Sequence, residues 1–214
     1  SKQQTAQWQI DPHGARNLGS LDVQDSNNVN STPVAAGGLT DAGNNIGWDF
    51  TFPAVASITR VDATPTNAAS VTFTVRFSED VTGLDTTDFS LTAANSINGA
   101  AVTEAAPKDG TSQNTYVVKA DTGDGNGTLR LDVTDNNSIK DLAGNPLGGT
   151  QTGDGDFNTG GEYYVDKIAP EAPEVKGISD DTGAAPDDGI TSDNTLVVNG
   201  GAEPGSAVEV FING

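Results

Sequence analysis

The stretch that most constrains this chain is Ser70-Val71-Thr72-Phe73-Thr74-Val75-Arg76-Phe77-Ser78. Val71, Phe73, Val75 and Phe77 alternate with Thr72, Thr74, Arg76 and Ser78. Successive side chains of an extended chain point to opposite faces, so the run predicts a strand with one buried and one wet face. Thr128-Leu129-Arg130-Leu131-Asp132-Val133-Thr134 repeats the alternation, with Leu129, Leu131 and Val133 inward. Between them lie Phe89-Ser90-Leu91-Thr92 and Tyr116-Val117-Val118-Lys119, short, rich in β-formers and bounded by Gly, Asp and Asn. Short alternating strands between turn-rich loops predict an all-β sandwich.

Seven strands are expected across residues 54–168, near 57–62, 70–78, 88–92, 100–105, 115–120, 128–134 and 162–166. Seven strands in a little over 100 residues match an immunoglobulin-like module, here lettered A to G in chain order. Residues 1–53 are too thin in apolar residues to bury a core alone. Leu21-Asp22-Val23-Gln24 predicts one short strand, and the Asn-rich 25–31 a turn and another. This leader resembles the closing coils of a parallel β-helix, with Trp48 and Phe50 as a hydrophobic plug. The alternative is a structured leader wrapped on the next domain. In residues 169–214, Val175-Lys176-Gly177-Ile178-Ser179-Asp180-Asp181-Thr182-Gly183, Asp188-Gly189-Ile190-Thr191-Ser192-Asp193 and Gly201-Ala202-Glu203-Pro204-Gly205-Ser206 resemble the start of a second type of immunoglobulin-like repeat, whose B and C strands would be Leu196-Val197-Val198 and Val208-Glu209-Val210-Phe211. About 45 residues do not close a sandwich. Either the parent protein continues or strands from a neighbouring chain complete it.

Thirty acidic residues face 10 basic ones, a formal charge of −20. That argues against nucleic acid, whose phosphates need clustered Lys and Arg, and against anionic membrane surfaces. It fits a self-repelling soluble surface, or carboxylates waiting for hard cations. Cysteine is absent, so there is no disulfide framework, zinc cluster or thiol nucleophile. Small extracellular β domains usually need staples, which points to metal ions in that role. No apolar run reaches the roughly 20 residues of a membrane span, so no membrane insertion is expected in this segment. No signal peptide is visible, and targeting information is expected to lie outside this stretch.

Particular motifs carry a resemblance. Phe77-Ser78-Glu79-Asp80-Val81-Thr82-Gly83-Leu84-Asp85, then Asp88-Phe89, then Ile139-Lys140-Asp141-Leu142-Ala143-Gly144-Asn145-Pro146-Leu147, resemble the bacterial immunoglobulin-like repeats of giant RTX-type surface adhesins. The closing Tyr164-Val165-Asp166-Lys167-Ile168-Ala169-Pro170 is similar to the linkers of those arrays. The resemblance implies an extracellular, repetitive bacterial surface protein acting in adhesion. Its partners would be neighbouring modules, other copies of itself, or an unidentified surface ligand. It also implies that Asp141 and Asn145 serve a turn in which both side chains bind backbone.

Calcium is the expected cofactor. It takes six to eight oxygens, which flexible Asp-, Asn- and Gly-rich loops supply. Three loops qualify: Asp121, Asp124 and Asn126 between strands E and F, with Asp166 at the same end; Asp154, Asp156 and Asn158; and Asp180, Asp181, Asp187, Asp188 and Asp193. The second lacks the Gly and Glu that would complete an EF-hand. The alternative is that Asp, Asn and Gly merely make good turns. Glu79, Asp80, Asp85 and Asp88 lie at the same end as the F–G loop, where a metal could span both.

An enzyme is not expected. His13 is the one histidine and is expected at the surface, and no Gly-x-Ser-x-Gly elbow is present. The main expectation is a structural or adhesive segment whose modules calcium stiffens at their joints. The alternatives are a self-assembling surface-layer or filament protomer, and a sugar- or protein-binding module using the B–C and F–G loops.

Overall fold

A computed structural model describes residues 7–11, 22–110, 113–179, 184–185, 188–192 and 194–211. Leu21, His13, Asp180, Asp181, Asp187 and Asp193 lie outside the described residues. The chain is all-β and divides into two compact units, Ser1–Lys167 and Ile168–Gly214.

The first unit begins with short strands that pair in parallel. They are β1 (Trp8–Ile10), β2 (Asp22–Gln24), β3 (Ser26–Asn28), β4 (Val34–Ala35), β5 (Thr40–Gly43) and β6 (Trp48–Asp49). β1 lies beside β3, β2 beside β5 and β4 beside β6, and Asn27 bridges Ile46 in parallel. Parallel neighbours close together in sequence require the chain to coil back over itself once per pair. Val23, Val34 and Ala36 are buried inside the coils together with Ser26 and Asn28. Asparagines satisfy the polar groups there. Asn45 Oδ1 accepts from the Ser26 amide (3.1 Å) and hydroxyl (3.0 Å), and Asn45 Nδ2 donates to the Val23 carbonyl (2.7 Å). Asn28 Nδ2 donates to the Thr32 and Gly47 carbonyls. Trp48 and Phe50 stack at 6.1 Å.

The sandwich follows, from β7 (Val55–Arg60) and β8 (Ser70–Phe77) through β9 (Val81–Thr82), β10 (Phe89–Ala93), β11 (Ala101–Pro107), β12 (Thr115–Asp121), β13 (Gly127–Val133) and β14 (Lys140–Asp141) to β15 (Glu162–Val165). One sheet runs β11-β12-β8-β7 and the other β10-β13-β15, all neighbours antiparallel. In lettered order these are D-E-B-A and C-F-G, the arrangement of a constant-type immunoglobulin domain. The strip β9–β14 joins the B–C and F–G loops.

The alternation that opened the sequence analysis fixes the core. Val71, Phe73, Val75 and Phe77 from one sheet meet Leu129, Leu131, Val133, Tyr163 and Val165 from the other, all buried. Burying each such side chain contributes roughly 1.5–3 kcal/mol. The Phe73 and Tyr163 rings meet edge-on at 5.1 Å. Tyr163 Oη donates to the Thr72 carbonyl (2.6 Å) and accepts from the Val61 (3.0 Å) and Asp62 (2.9 Å) amides, tying β15 to both β7 and β8.

Beyond β10 and before β13 the two loops zip together: Ser96 and Asn98 pair through their backbones with Asn126 and Asp124. The approach is so close that a Cβ on Gly123 or Gly125 would collide with the Asn98 or Ser96 carbonyl oxygen, and both glycines have φ values (+65° and +84°) that favour glycine.

In the second unit, β16 (Glu174–Ile178) pairs antiparallel with β17 (Val198–Gly201). Several of its described large apolar side chains are exposed: Val175 by 71%, Val210 by 70% and Phe211 by 78%.

Candidate functional site: a carboxylate cluster where the coils meet the sandwich

The F–G loop of the sandwich begins as a tight turn. Asp141 Oδ1 accepts from the Gly144 (2.6 Å) and Asn145 (2.8 Å) amides, and its Oδ2 accepts from Asn145 Nδ2 (2.8 Å). This is the arrangement in which an Asp side chain caps backbone. The turn also reaches outside the sandwich. Asn145 Oδ1 accepts from the Gly37 amide at 2.7 Å, and Nδ2 donates to the Asp49 carbonyl at 3.2 Å. Asn145 is 2% exposed; its bond to Asp141 is buried, and its bonds to half-buried Gly37 and Asp49 are partly so. The Gly148 amide adds a bond to the Pro53 carbonyl. A groove of about 360 Å³ runs along this seam, lined by Ala36, Phe52, Ala143 and Pro146 among others.

At the same seam three carboxylates converge. Among the described residues, Asp49 from the coils, Glu79 from the B–C loop and Asp141 from the F–G loop each place an oxygen within 4.8 Å of the others. Asp141 is buried and the other two half-buried. Burial pushes the Glu79 carboxyl above its ordinary 4.5, and the negative charges of Asp49, Asp141 and Asp80 push it further, while a hydrogen bond from Thr51 opposes them. Asp49 Oδ1 accepts from the Thr51 amide and hydroxyl. Carboxylates held this close repel one another, and a hard cation taking one oxygen from each would cancel that repulsion.

The expected calcium loops are arranged differently. Asp121 ends β12 and is exposed, and Asp124 pairs with Asn98 through backbone alone. Asn126 and Asp166 are brought together directly, Nδ2 donating to Oδ1 at 2.8 Å, while Asn126 Oδ1 accepts from the Lys167 amide at 2.7 Å. Lys167 Nζ donates to the Gly123 carbonyl beside this loop.

In the second loop, Asp154 Oδ2 accepts from the Gln151 amide (3.2 Å) and Asp156 Oδ1 from the Asp135 amide (2.7 Å). Asn158 is exposed. The organising carboxylate there is Asp135, which is buried and accepts from the Gly153, Gly155 and Asn137 amides. Of the third loop, Asp188 is described and accepts from the Ile190 amide at 2.9 Å. In the B–C loop, Asp85 caps a 3₁₀ turn at Thr86–Asp88, and hydrogen bonds from Thr87 hold its carboxyl below the ordinary value. Buried Asp88 accepts from Asn136 and Ser138.

Asp49 is the member of the cluster that sequence reasoning missed. It sits in a segment with no periodic link to the sandwich, and nothing in its neighbours announces where the coils dock. The Asn-Ile-Gly-Trp-Asp run gave a local signal only.

No helix among the described residues is long and apolar enough to cross a membrane. The sequence matches no family model and no curated protein. Among solved structures it is similar to the N-terminal part of the bacterial S-layer protein SbsC, at 21% identity and a TM-score of 0.36 over 58% of this chain. It is also similar to domains 1–6 of surface layer protein SbsC, at 19% identity and a TM-score of 0.35 over 59% of this chain. The matched regions span 26% and 15% of those chains.

Proposed function

We propose that this chain is a structural, non-catalytic segment of a long extracellular bacterial surface protein, of the kind built from repeated immunoglobulin-like modules. The observation that carries the reading is the Asn145 lock, in which a buried side chain fastens the coils to the end of the sandwich through two partly buried hydrogen bonds. Such a seam transmits force and resists bending. It also uses the F–G loop, one of the loops a ligand-binding module would need, to hold the preceding segment.

Calcium is the finer part of the proposal. Asp49 on the coil side, with Glu79 and Asp141 on the sandwich side, supports a cation that stiffens this joint. The test is a thermal melt of the whole chain with millimolar calcium and with excess EDTA, beside small-angle scattering. A Tm raised by calcium in the native chain, with the rise lost in Asp49→Asn, supports the reading. Identical melts with calcium and EDTA overturn the calcium part. Native-like melts and scattering for Asn145→Ala overturn the joint itself.

A second reading is a self-assembling surface-layer or filament protomer completed by a neighbour's strand. The uncovered Val175, Val210 and Phe211 of the second unit support it, because a two-stranded sheet needs further strands over its apolar face.

A further inference from the structure

A sandwich has four sheet edges, and an unguarded edge is a template for another strand. Three of the four here are guarded. The outer side of β15 is covered by the bridge from Thr66, whose amide donates to Tyr164 and whose carbonyl accepts from Asp166. The outer side of β7 takes the Gly161 amide on the Ile58 carbonyl, and its ladder slips between Val55 and Ser57. The β11 edge is bulged between Val102 and Glu104, carries the Glu104–Lys119 ion pair and ends on Pro107. These are devices by which native proteins blunt an edge.

The fourth edge, β10, has none of them: β11 of the facing sheet lies close to it but does not pair with it. Phe89-Ser90-Leu91-Thr92-Ala93 contains no charge, no proline and no register shift, and among the described residues no strand pairs along its outer side. Its direction is fixed by the ladder. Thr134 donates to the Asp88 carbonyl and Ala94 to the Thr128 carbonyl, so Ser90 and Thr92 exchange hydrogen bonds with β13. By alternation, the amides and carbonyls of Phe89, Leu91 and Ala93 point away from it. Asp132 is already bonded to Arg130 and to the Thr92 hydroxyl, and Asp88, which precedes the strand, is buried and accepts from Asn136 and Ser138, so neither offers an anionic handle to a cationic segment.

We propose that β10 is an assembly edge and that its occupant is β10 of a second copy, paired antiparallel about a two-fold axis. The strand is self-complementary in that register. Leu91 lies opposite Leu91, Phe89 opposite Ala93 and Ser90 opposite Thr92, which pairs apolar with apolar and hydroxyl with hydroxyl. Two chains of charge −20 need a contact free of like charges, and this is a neutral five-residue stretch. The pairing joins two three-stranded sheets into one of six. It involves the first unit alone and goes beyond the readings above, since it holds whether or not the second unit takes a partner strand.

The test uses the whole chain in sedimentation velocity across a salt series. Salt shortens the reach of the mutual repulsion, to about 10 Å at 0.1 M, so dimer is expected to grow as salt rises. Ala93→Pro removes an outward amide without touching the β13 ladder, and is expected to weaken association at least about tenfold while leaving the melt unchanged. Register is read in this cysteine-free chain by mixing Ser90→Cys with Thr92→Cys protein. Opposed residues lie about 4.5 Å apart between Cα atoms, within disulfide reach, whereas Ser90 and its own copy are roughly 8 Å apart. A disulfide dimer in the mixture but in neither protein alone confirms the pairing. A chain monomeric at every salt, a dimer indifferent to Ala93→Pro, or cross-linking in either single variant overturns it.

Discussion

Replacing Asn145 with Ala tests the seam most directly. The substitution removes the acceptor for the Gly37 amide and the donors for the Asp49 carbonyl and Asp141 Oδ2, at 2.7, 3.2 and 2.8 Å. A buried polar group left without its partner costs about 1–3 kcal/mol, more where it is charged. The Asp49 bond is the longest and Asp49 is half-buried, so the lower end applies to it, while the Asp141 carboxylate sits at the upper end. With the half-buried Gly37 amide also at the lower end, the sum is about 5 kcal/mol, equivalent to roughly 10–20 °C in Tm for a unit of this size. Calorimetry gives the total, and amide hydrogen exchange gives its location, because the Gly37 amide should lose protection while the amides of β8 keep theirs. Asn145→Asp keeps the acceptor but loses both amide donors and sets a second carboxylate against Asp141, so it should be at least as damaging at pH 7. A loss under about 1 kcal/mol with Gly37 still protected would refute the lock.

Tyr163→Phe leaves the Asp62 amide without its partner, while the Val61 amide and Thr72 carbonyl keep their bond to each other, and should cost about 1–2 kcal/mol in chemical denaturation, whereas Tyr164→Phe on the exposed face should be near neutral. Gly125→Ala must place a Cβ against the Ser96 carbonyl at φ +84°, and should lower stability by about 2 kcal/mol or more. Folding raises the Glu79 pKa, so the native state binds that proton more tightly than the unfolded state. The contribution of Glu79 to stability therefore falls as pH rises through the window above 4.5 and stays lost beyond the folded pKa. In EDTA, Glu79→Gln should out-melt the native chain at pH 7 and lose that advantage near pH 4; a variant less stable than native at both would contradict the assignment.

The sandwich was legible because its signal is local. Period-2 alternation at Val71–Phe77 and Leu129–Val133 fixes which face is inward, and the turn residues between strands fix where each ends. The seam was not legible, because Asp49, Glu79 and Asp141 come from three loops that only tertiary docking brings together. The acidic loops were ambiguous for a chemical reason. A carboxylate that accepts backbone amides, as Asp135 and Asp156 do, uses the same residue types and glycine spacing as one that accepts a cation. Lys167 adds a second ambiguity, since no local pattern announces that its ammonium will reach the Gly123 carbonyl.

The Asn145 lock also sets an order of events during synthesis. Gly37 and its partner Asn145 are 108 residues apart, so at about 5–20 residues per second the coils leave the ribosome roughly 5–20 s before the residue that fastens them exists. Throughout that interval the coil segment lacks its closing contact and has little core of its own. Closure of the F–G turn is then what supplies the coils' last contact, and a chain stalled before Asn145 would present an open, protease-sensitive coil segment.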